Sequence, residues 1–366
     1  MIIAILITTA YVILIIAFWL GFNNVNETLV KTAKTQVKFS ILIPFRNEAK
    51  MLPLLLKSIN ALTYDKTLFE VLFIDDASKD NSVVLIKKLL DKTINYKILS
   101  NQRTSNSPKK DALTLAINQA KNSWIITTDA DCILPKKWLN SFAYFIATND
   151  SKFIAAPVQM QLENGFWKQF QTHDFLALQG VTIGAFGLQK PFMCNGANLC
   201  YQKEAFFTVN GFEGNTNLAS GDDVFLLEKM QATFPKKVHY LKAKDAIVKT
   251  FPVATLQELK QQRVRWASKS SAYKNTLAII AGLIMLAMTL NLILSLFLLQ
   301  FKLFLILFLV KFSIDLVLLY PTAKFFSQTS SLKTFVFSSF VYPFFTVYIS
   351  ILALFKQYQW KGRKLS

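Results

Sequence analysis

Residues 2–22, IIAILITTAYVILIIAFWLGF, contain no charged side chain, and they match the roughly 20 residues that a helix needs to cross a bilayer core. A cleaved leader would place basic residues ahead of a shorter apolar run and end at a small-residue cleavage site. Here the first basic residue is Lys31. The sequence therefore predicts an uncleaved transmembrane anchor over 1–22. Lys31, Lys34 and Lys38, which follow it, predict that the N-terminus lies outside and the next segment in the cytoplasm.

Apolar density returns beyond residue 275 in three blocks, 276–299, 303–320 and 335–355, divided by Lys302 and by the polar stretch from Pro321 to Lys333. They predict C-terminal transmembrane helices over 276–355, followed by a basic tail over 356–366. Asp315 is the one acidic residue from 276 onward. It lies four residues after Lys311, so the two can pair on one helical face, in a structural or a functional role. Four spans starting from an outside N-terminus leave the tail outside, whereas its basic residues favour the inside. Either one block lies in the interface, or the amphipathic stretch before 275 is embedded more deeply.

The chain is 52% hydrophobic and carries 41 Lys and Arg against 22 Asp and Glu, a net charge of +19. Such a composition excludes a disordered chain and argues against an ordinary soluble enzyme. The charge suits anionic lipid, a phosphate-bearing ligand or nucleic acid. Cys132, Cys194 and Cys200 form neither an even framework nor a CxxC pair, so neither a disulfide scaffold nor a thiolate metal site is indicated. A reducing compartment fits.

Residues 38–250 differ from their surroundings. Short β-branched or aromatic runs alternate there with helical patterns, which predicts an α/β domain. KFSILIP (38–44) reads as a buried strand, NEAKMLPLLLKSINAL (47–62) as a helix capped by Asn47, and EVLFIDDAS (70–78) as a strand ending in Asp75 and Asp76. A helix to Leu90, a strand at 96–100, a helix at 111–120 and a fourth strand at 123–132 complete the alternation. Ligands of open parallel sheets bind beyond the carboxyl ends of the strands, and two of these strands end in acidic pairs.

Neither GxGxxG nor GxxxxGK[ST] occurs at the first strand, so the dinucleotide and P-loop modes lack their glycines. Asp129-Ala130-Asp131 offers another way to hold phosphate. Alternate residues of an extended segment can each present oxygen to Mg²⁺ or Mn²⁺, which bridges diphosphate oxygens. Taken alone, the triplet fits a solvated turn, with Asp side chains capping backbone amides, better than a metal site.

Together these segments resemble the membrane-bound family 2 glycosyltransferases with a GT-A fold. SILIPFRNE (40–48), FIDDASKDNS (73–82), KKDALTLAI (109–117), TTDADC (127–132), CNGANLCYQKEAFFTVNGF (194–212), SGDDVFLL (220–227) and QQRVRW (261–266) are similar to the family's elements and follow their order. The resemblance implies a Rossmann-like nucleotide-diphospho-sugar transferase domain with transmembrane helices, including ceramide glucosyltransferase-like and polysaccharide synthase-like members. It places Pro44 and Asp76 at the nucleotide base, with Asp75 among the substrate-binding residues and Lys109 beside the nucleotide. Asp129 and Asp131 fall at the diphosphate and its Mg²⁺ or Mn²⁺, and Asp223 at the general-base position. Asp222 stands where the family often has Glu. Gln262, Arg265 and Trp266 form its QxxRW motif, which in the family closes over the active site.

The stretch 251–275 around this motif has helical spacing of Val253, Leu256, Leu259 and Val264 beside a basic face, and it reads as an amphipathic interface helix. The function implied is inverting transfer of a sugar from a nucleotide sugar, a UDP-sugar by family habit, to a lipid or lipid-linked acceptor. The setting implied is a bacterial inner membrane with the catalytic domain in the cytoplasm. A processive polysaccharide synthase, with a partner subunit supplying a channel, and an inactive scaffold are the alternatives. The spread of basic residues over membrane flanks and motifs leaves no nucleic-acid module. His173 and His239 read as structural or surface residues. Phe166, Trp167 and Phe170 read as core, membrane-surface or sugar-platform aromatics.

Overall fold

The computed structural model describes residues 2–30, 36–218, 220–269, 274–355, 358–360 and 363–365. Lys31 and Lys34, and residues 356, 357, 361, 362 and 366 of the basic tail, lie outside the described residues. The chain divides into two compact units. One comprises residues 26–159 and 193–251, the other the residues up to 25, 160–192 and those from 252 onward.

The first helix, α1 (Ile2–Asn24), belongs to the second unit. The α/β unit begins with β1 (Phe39–Phe45), α2 (Leu52–Asn60), β2 (Phe69–Asp75), α3 (Ser82–Leu89), β3 (Asn95–Ser100), α4 (Pro108–Gln119) and β4 (Trp124–Thr127). It continues through α5 (Trp138–Thr148), β5 (Phe153–Ala155) and β6 (Val158–Met160). After the excursion to the other unit come β7 (Leu199–Gln202), α7 (Lys203–Thr208), α8 (Asp222–Thr233), β8 (Val238–Tyr240) and β9 (Val248–Thr250). Seven strands form a mixed sheet in the order β3-β2-β1-β4-β7-β5-β8, with β7 antiparallel to both its neighbours, and β6 pairs with β9.

At the centre, β1 lies parallel between β2 and β4, with Phe45 opposite Asp75 and Leu42 opposite Thr127. Ile41, Leu42, Ile43, Val71, Leu72 and Phe73 are fully buried, as continuous apolar runs in a parallel sheet covered on both faces should be. The carboxyl ends of these strands carry the acidic residues.

Two sequence expectations are corrected here. Asn47 does not cap a helix. It has a positive φ of 52°; its side chain accepts a hydrogen bond from the Lys79 amide, and its own amide donates to Ser78 Oγ. The residue is spent joining two loops, and α2 starts only at Leu52 with a proline in its first turn. The fourth strand ends at Thr127, because β7 pairs only as far as that residue. Asp129 and Asp131 therefore sit in a turn, closed by the Cys132 amide on the Asp129 carbonyl at 3.3 Å, rather than on an extended segment.

The second unit holds α1, α6 (Phe166–Gly187), α9 (Leu256–Ser268), α10 (Thr276–Phe297), α11 (Phe301–Phe325), a 3-10 turn (Thr329–Thr334) and α12 (Phe335–Leu354). Two short strands, β10 (Tyr358–Trp360) and β11 (Arg363–Leu365), pair antiparallel after it. Among the described residues, four segments are long and apolar enough to cross a membrane: Ile2–Asn24, Thr276–Phe297, Phe301–Phe325 and Thr329–Leu354. The second C-terminal span runs through Pro321 instead of stopping before it. Lys311 and Asp315 do pair on α11, and Tyr11 of α1 donates to the same carboxylate at 2.6 Å, so the charges join two helices.

Residues 160–192, expected within the α/β domain, instead contribute α6, which packs along α1. The approach is close enough that glycine is required at the crossing: a Cβ on Gly184 would lie 2.4 Å from the Phe18 carbonyl oxygen, and one on Gly187 would lie 1.8 Å from that of Gly21. Small residues permit such backbone contact between apolar helices. Gly187→Val is expected to destabilise the protein by about 1–3 kcal/mol or more, as overpacking does. Its melting temperature in detergent should fall; an unchanged midpoint would contradict the contact.

Candidate active site

Two groups of polar side chains meet at the carboxyl ends of β1, β2 and β4. The first surrounds Asp76, the residue after β2, which is buried at 6% exposure. Its Oδ1 accepts from Asn101 Nδ2 at 2.9 Å and from Arg103 Nε at 2.6 Å, and its backbone carbonyl accepts from Arg46 at 2.6 Å. Charge-assisted bonds of this kind fix both partners. Asp75, at the end of β2, accepts from the Ser78 amide and so shapes the turn instead of facing the same partners. Pro44 lies one residue before the end of β1, in register with Ile74.

The loop that supplies Asn101 and Arg103 is organised by Asp111, buried in the first turn of α4. Its carboxylate accepts from the amides and hydroxyls of both Thr104 and Ser105. Asn101 also donates to the carbonyl of Pro108 at 3.0 Å, which ties the Asp76 group to the start of α4. A residue further on is Lys109.

Lys109 is the centre of the second group. Its ammonium lies 2.9 Å from Asp129 Oδ1 and 3.2 Å from Asp222 Oδ2. Burial opposes its charge, but Asp129, Asp222 and Asp223 outweigh that effect and hold the lysine protonated well above its ordinary range. Asp222 and Asp223 open α8, where the helix N-terminus favours negative charge. They follow Gly221, whose left-handed φ of 85° turns the chain into the helix.

One backbone residue connects the strand end to this pair. Thr127 Oγ1 donates to the Gly196 carbonyl at 2.8 Å, and the Gly196 amide donates to Asp223 Oδ2 at 3.2 Å. A Cβ at Gly196 would stand 3.2 Å from Asp222 Oδ2 and 3.3 Å from Lys109 Nζ. Glycine thus lets the ammonium and the carboxylate approach the turn.

Asp131 is half-buried in the turn after β4, with Oδ1 3.9 Å from the Cys132 sulfur. Burial, reinforced by Asp131 and Asp129, pushes the Cys132 thiol up. Among the described residues, no three His, Cys, Asp or Glu side chains form a cage for an ion. Asp129 and Asp131 do offer hard carboxylate oxygens, the donor type that Mg²⁺ and Mn²⁺ take when a substrate phosphate completes the shell.

Gln262, Arg265 and Trp266 lie on α9 in the other unit, partly exposed. This helix starts with a full capping box, Thr255 and Glu258. Sequence reasoning missed Asn101, Arg103 and Thr127, which sit in a polar loop without periodicity or under a motif named for its acids.

Residues 40–208 match the family described as Glycosyl transferase family 2. The matched stretch runs from within β1 to the end of α7. Over 129 residues the chain is 30% identical to the poly(ribitol-phosphate) beta-N-acetylglucosaminyltransferase TarS of Staphylococcus aureus, a match covering 35% of this chain and 22% of that protein. Over 185 residues it is 24% identical to the glycosyltransferase AglE of Haloferax volcanii, covering 50% and 58% respectively. It is 33% identical over 95 residues to an undecaprenyl-phosphate 4-deoxy-4-formamido-L-arabinose transferase of Photorhabdus laumondii, covering 26% and 29%. The chain thus spans less than two thirds of each of these relatives.

Among solved structures, a mannosyltransferase of Pyrobaculum calidifontis in complex with GDP-Man and Mn²⁺ superposes with a TM-score of 0.59 at 15% identity, covering 97% of both chains. This likeness establishes the fold. The mixed sheet is that of the GT-A glycosyltransferases, and the described residues add four apolar segments of spanning length.

Because Arg103 holds Asp76 from one side, Arg103→Leu should free the carboxylate to move. If this carboxylate meets the nucleotide, affinity for UDP or GDP in calorimetry should weaken by roughly 10- to 100-fold, the equivalent of the about 1.5–3 kcal/mol that a charged hydrogen bond contributes. Equal affinity in the variant would remove Asp76 and its partners from nucleotide binding.

Proposed function

We propose that the protein is an integral-membrane, inverting glycosyltransferase that moves a sugar from a nucleotide sugar to the hydroxyl of a lipid or lipid-linked acceptor at the cytoplasmic face. The observation that carries the reading is the convergence of Lys109 and Asp129, inside the stretch that matches the family 2 model, with Asp222 and Asp223 at the start of α8. Spans flanking the domain, and a relative whose name specifies an undecaprenyl-phosphate acceptor, support a membrane lipid over a soluble sugar.

In this mechanism Asp76, steadied by Asn101 and Arg103, receives the nucleotide base against Pro44. Lys109 meets the diphosphate, whose negative charge grows as the sugar departs. Asp129 and Asp131 would hold Mg²⁺ or Mn²⁺, with Asp131 the more direct ligand; when bound, the ion neutralises the leaving diphosphate. Asp223 takes the proton from the acceptor hydroxyl as its oxygen bonds to the anomeric carbon. Gly196 steadies that carboxylate through its amide. Single displacement inverts the anomeric centre, so an α-linked donor yields a β-glycoside. Gln262, Arg265 and Trp266 are assigned to the same reaction by their motif.

A screen of UDP- and GDP-sugars for nucleoside-diphosphate release, with and without lipid extract, tests the reading. Stimulation by lipid and a single glycolipid product are expected, whereas a ladder of products would mark a processive synthase. Asp223→Asn should retain nucleotide affinity and lose at least about 100-fold in turnover, in line with general-base contributions. Near-normal turnover would exclude it as the base. Asp131→Ala should weaken Mn²⁺-dependent nucleotide binding in titration and leave metal-free binding unchanged.

A further inference from the structure

We infer that Arg263, held by Asp174 of α6, is a positioning residue for Gln262 and Trp266. The inference rests on the proposed role of the QxxRW residues. Arg263 is the only buried cation of α9, at 7% exposure. Its Nε donates to Asp174 Oδ2 at 2.7 Å, and Asp174 is buried as well. The same guanidinium touches two of the three motif side chains. It donates to Gln262 Oε1 and lies over the Trp266 ring, 4.3 Å from its centroid. A planar guanidinium can serve all three partners at once, through its edge and its face.

The anchorage is doubled one turn earlier on α6. Gln171, 1% exposed, donates to the Val253 carbonyl at 3.1 Å and accepts from the Val253 amide at 3.0 Å. Gln171 and Asp174 are three residues apart on one helical face, so α6 grips both the approach to α9 and its middle. Beside them His173 bonds Ser338 Oγ and the Ser331 carbonyl, each at 2.8 Å, which fixes α6 in turn against α12. A ring and an amide held in this way have few rotamers left to sample, which is what a side chain that must meet a reacting substrate requires.

The full-length protein in detergent provides the test. In Asp174→Asn and Gln171→Met, amide exchange should quicken across 253–268 while β1, β2 and α4 exchange as in wild type. Affinity for UDP or GDP should hold, while the maximal rate of nucleoside-diphosphate release from the donor that turns over falls about tenfold or more. Asp174→Glu, which keeps the charge, should recover part of that rate. Because Asp174→Asn leaves a buried guanidinium without its counter-charge and can unfold the unit, Gln171→Met supplies the second measurement. Unchanged exchange over 253–268 in the folded variants, or a rate within twofold of wild type while Arg265→Ala is inactive, overturns the inference. Full activity of Arg265→Ala and Trp266→Ala strikes the role of the motif instead, and the exchange data alone then decide the anchoring.

Discussion

Three ionised carboxylates in a small volume repel one another unless a cation or a proton offsets their charge. Here Lys109 is that cation, within 3.2 Å of Asp129 and Asp222 and in the field of Asp223. It joins acidic groups that arrive from two distant parts of the chain, the turn after β4 and the start of α8. The rest of the α/β unit can be seen as the apparatus that delivers them. The buried parallel strands bring one acid to the sheet edge, and antiparallel β7 brings the Gly196 turn alongside it. The left-handed Gly221 aims α8 so that its acids lie at the positive end of the helix. The lysine leaves the net charge of this cluster partly balanced.

The parts of this arrangement that were legible in sequence are those whose chemistry is written in consecutive residues. SILIPF and VLFIDD declare buried strands ending at acids, because a sheet covered on both faces needs unbroken apolar runs. The acids of the two later motifs could be paired with them by resemblance. What stayed hidden depends on the backbone. The turn that shortens β4 at Thr127 is set by how far β7 pairs. The start of α4 at Pro108 rather than Asp111, which puts Lys109 on the helix, follows from Pro in its first turn. Arg103 reaches Asp76 only because Asp111 folds the intervening loop.

The long α6 escaped for a different reason. It buries Gln171, Thr172, His173 and Asp174 in succession, so neither an apolar stripe nor an apolar run marks it. A helix buried on most sides, with polar residues among those it buries, leaves little periodic trace. Its partners are specific instead: glycines where it crosses α1, an acid for Arg263, an amide for Val253. Such satisfied polar contacts specify one arrangement among many apolar packings that would be nearly equal in energy.

The chain leaves the α/β unit at 159, builds α6 in the other unit, and returns at 193. The acids before and after that excursion, Asp129 and Asp222, meet at Lys109, yet they are separated in sequence by a segment that folds elsewhere. The α/β unit is therefore not a continuous stretch that can be cut out at its ends. A fragment spanning 38–250 would carry α6 without α1, leaving the glycine-lined face of the helix and the buried acid Asp174 with nothing to cover them. In folding terms the two units are tied by a loop closed at both ends, so neither is complete until the other has received its share of the chain.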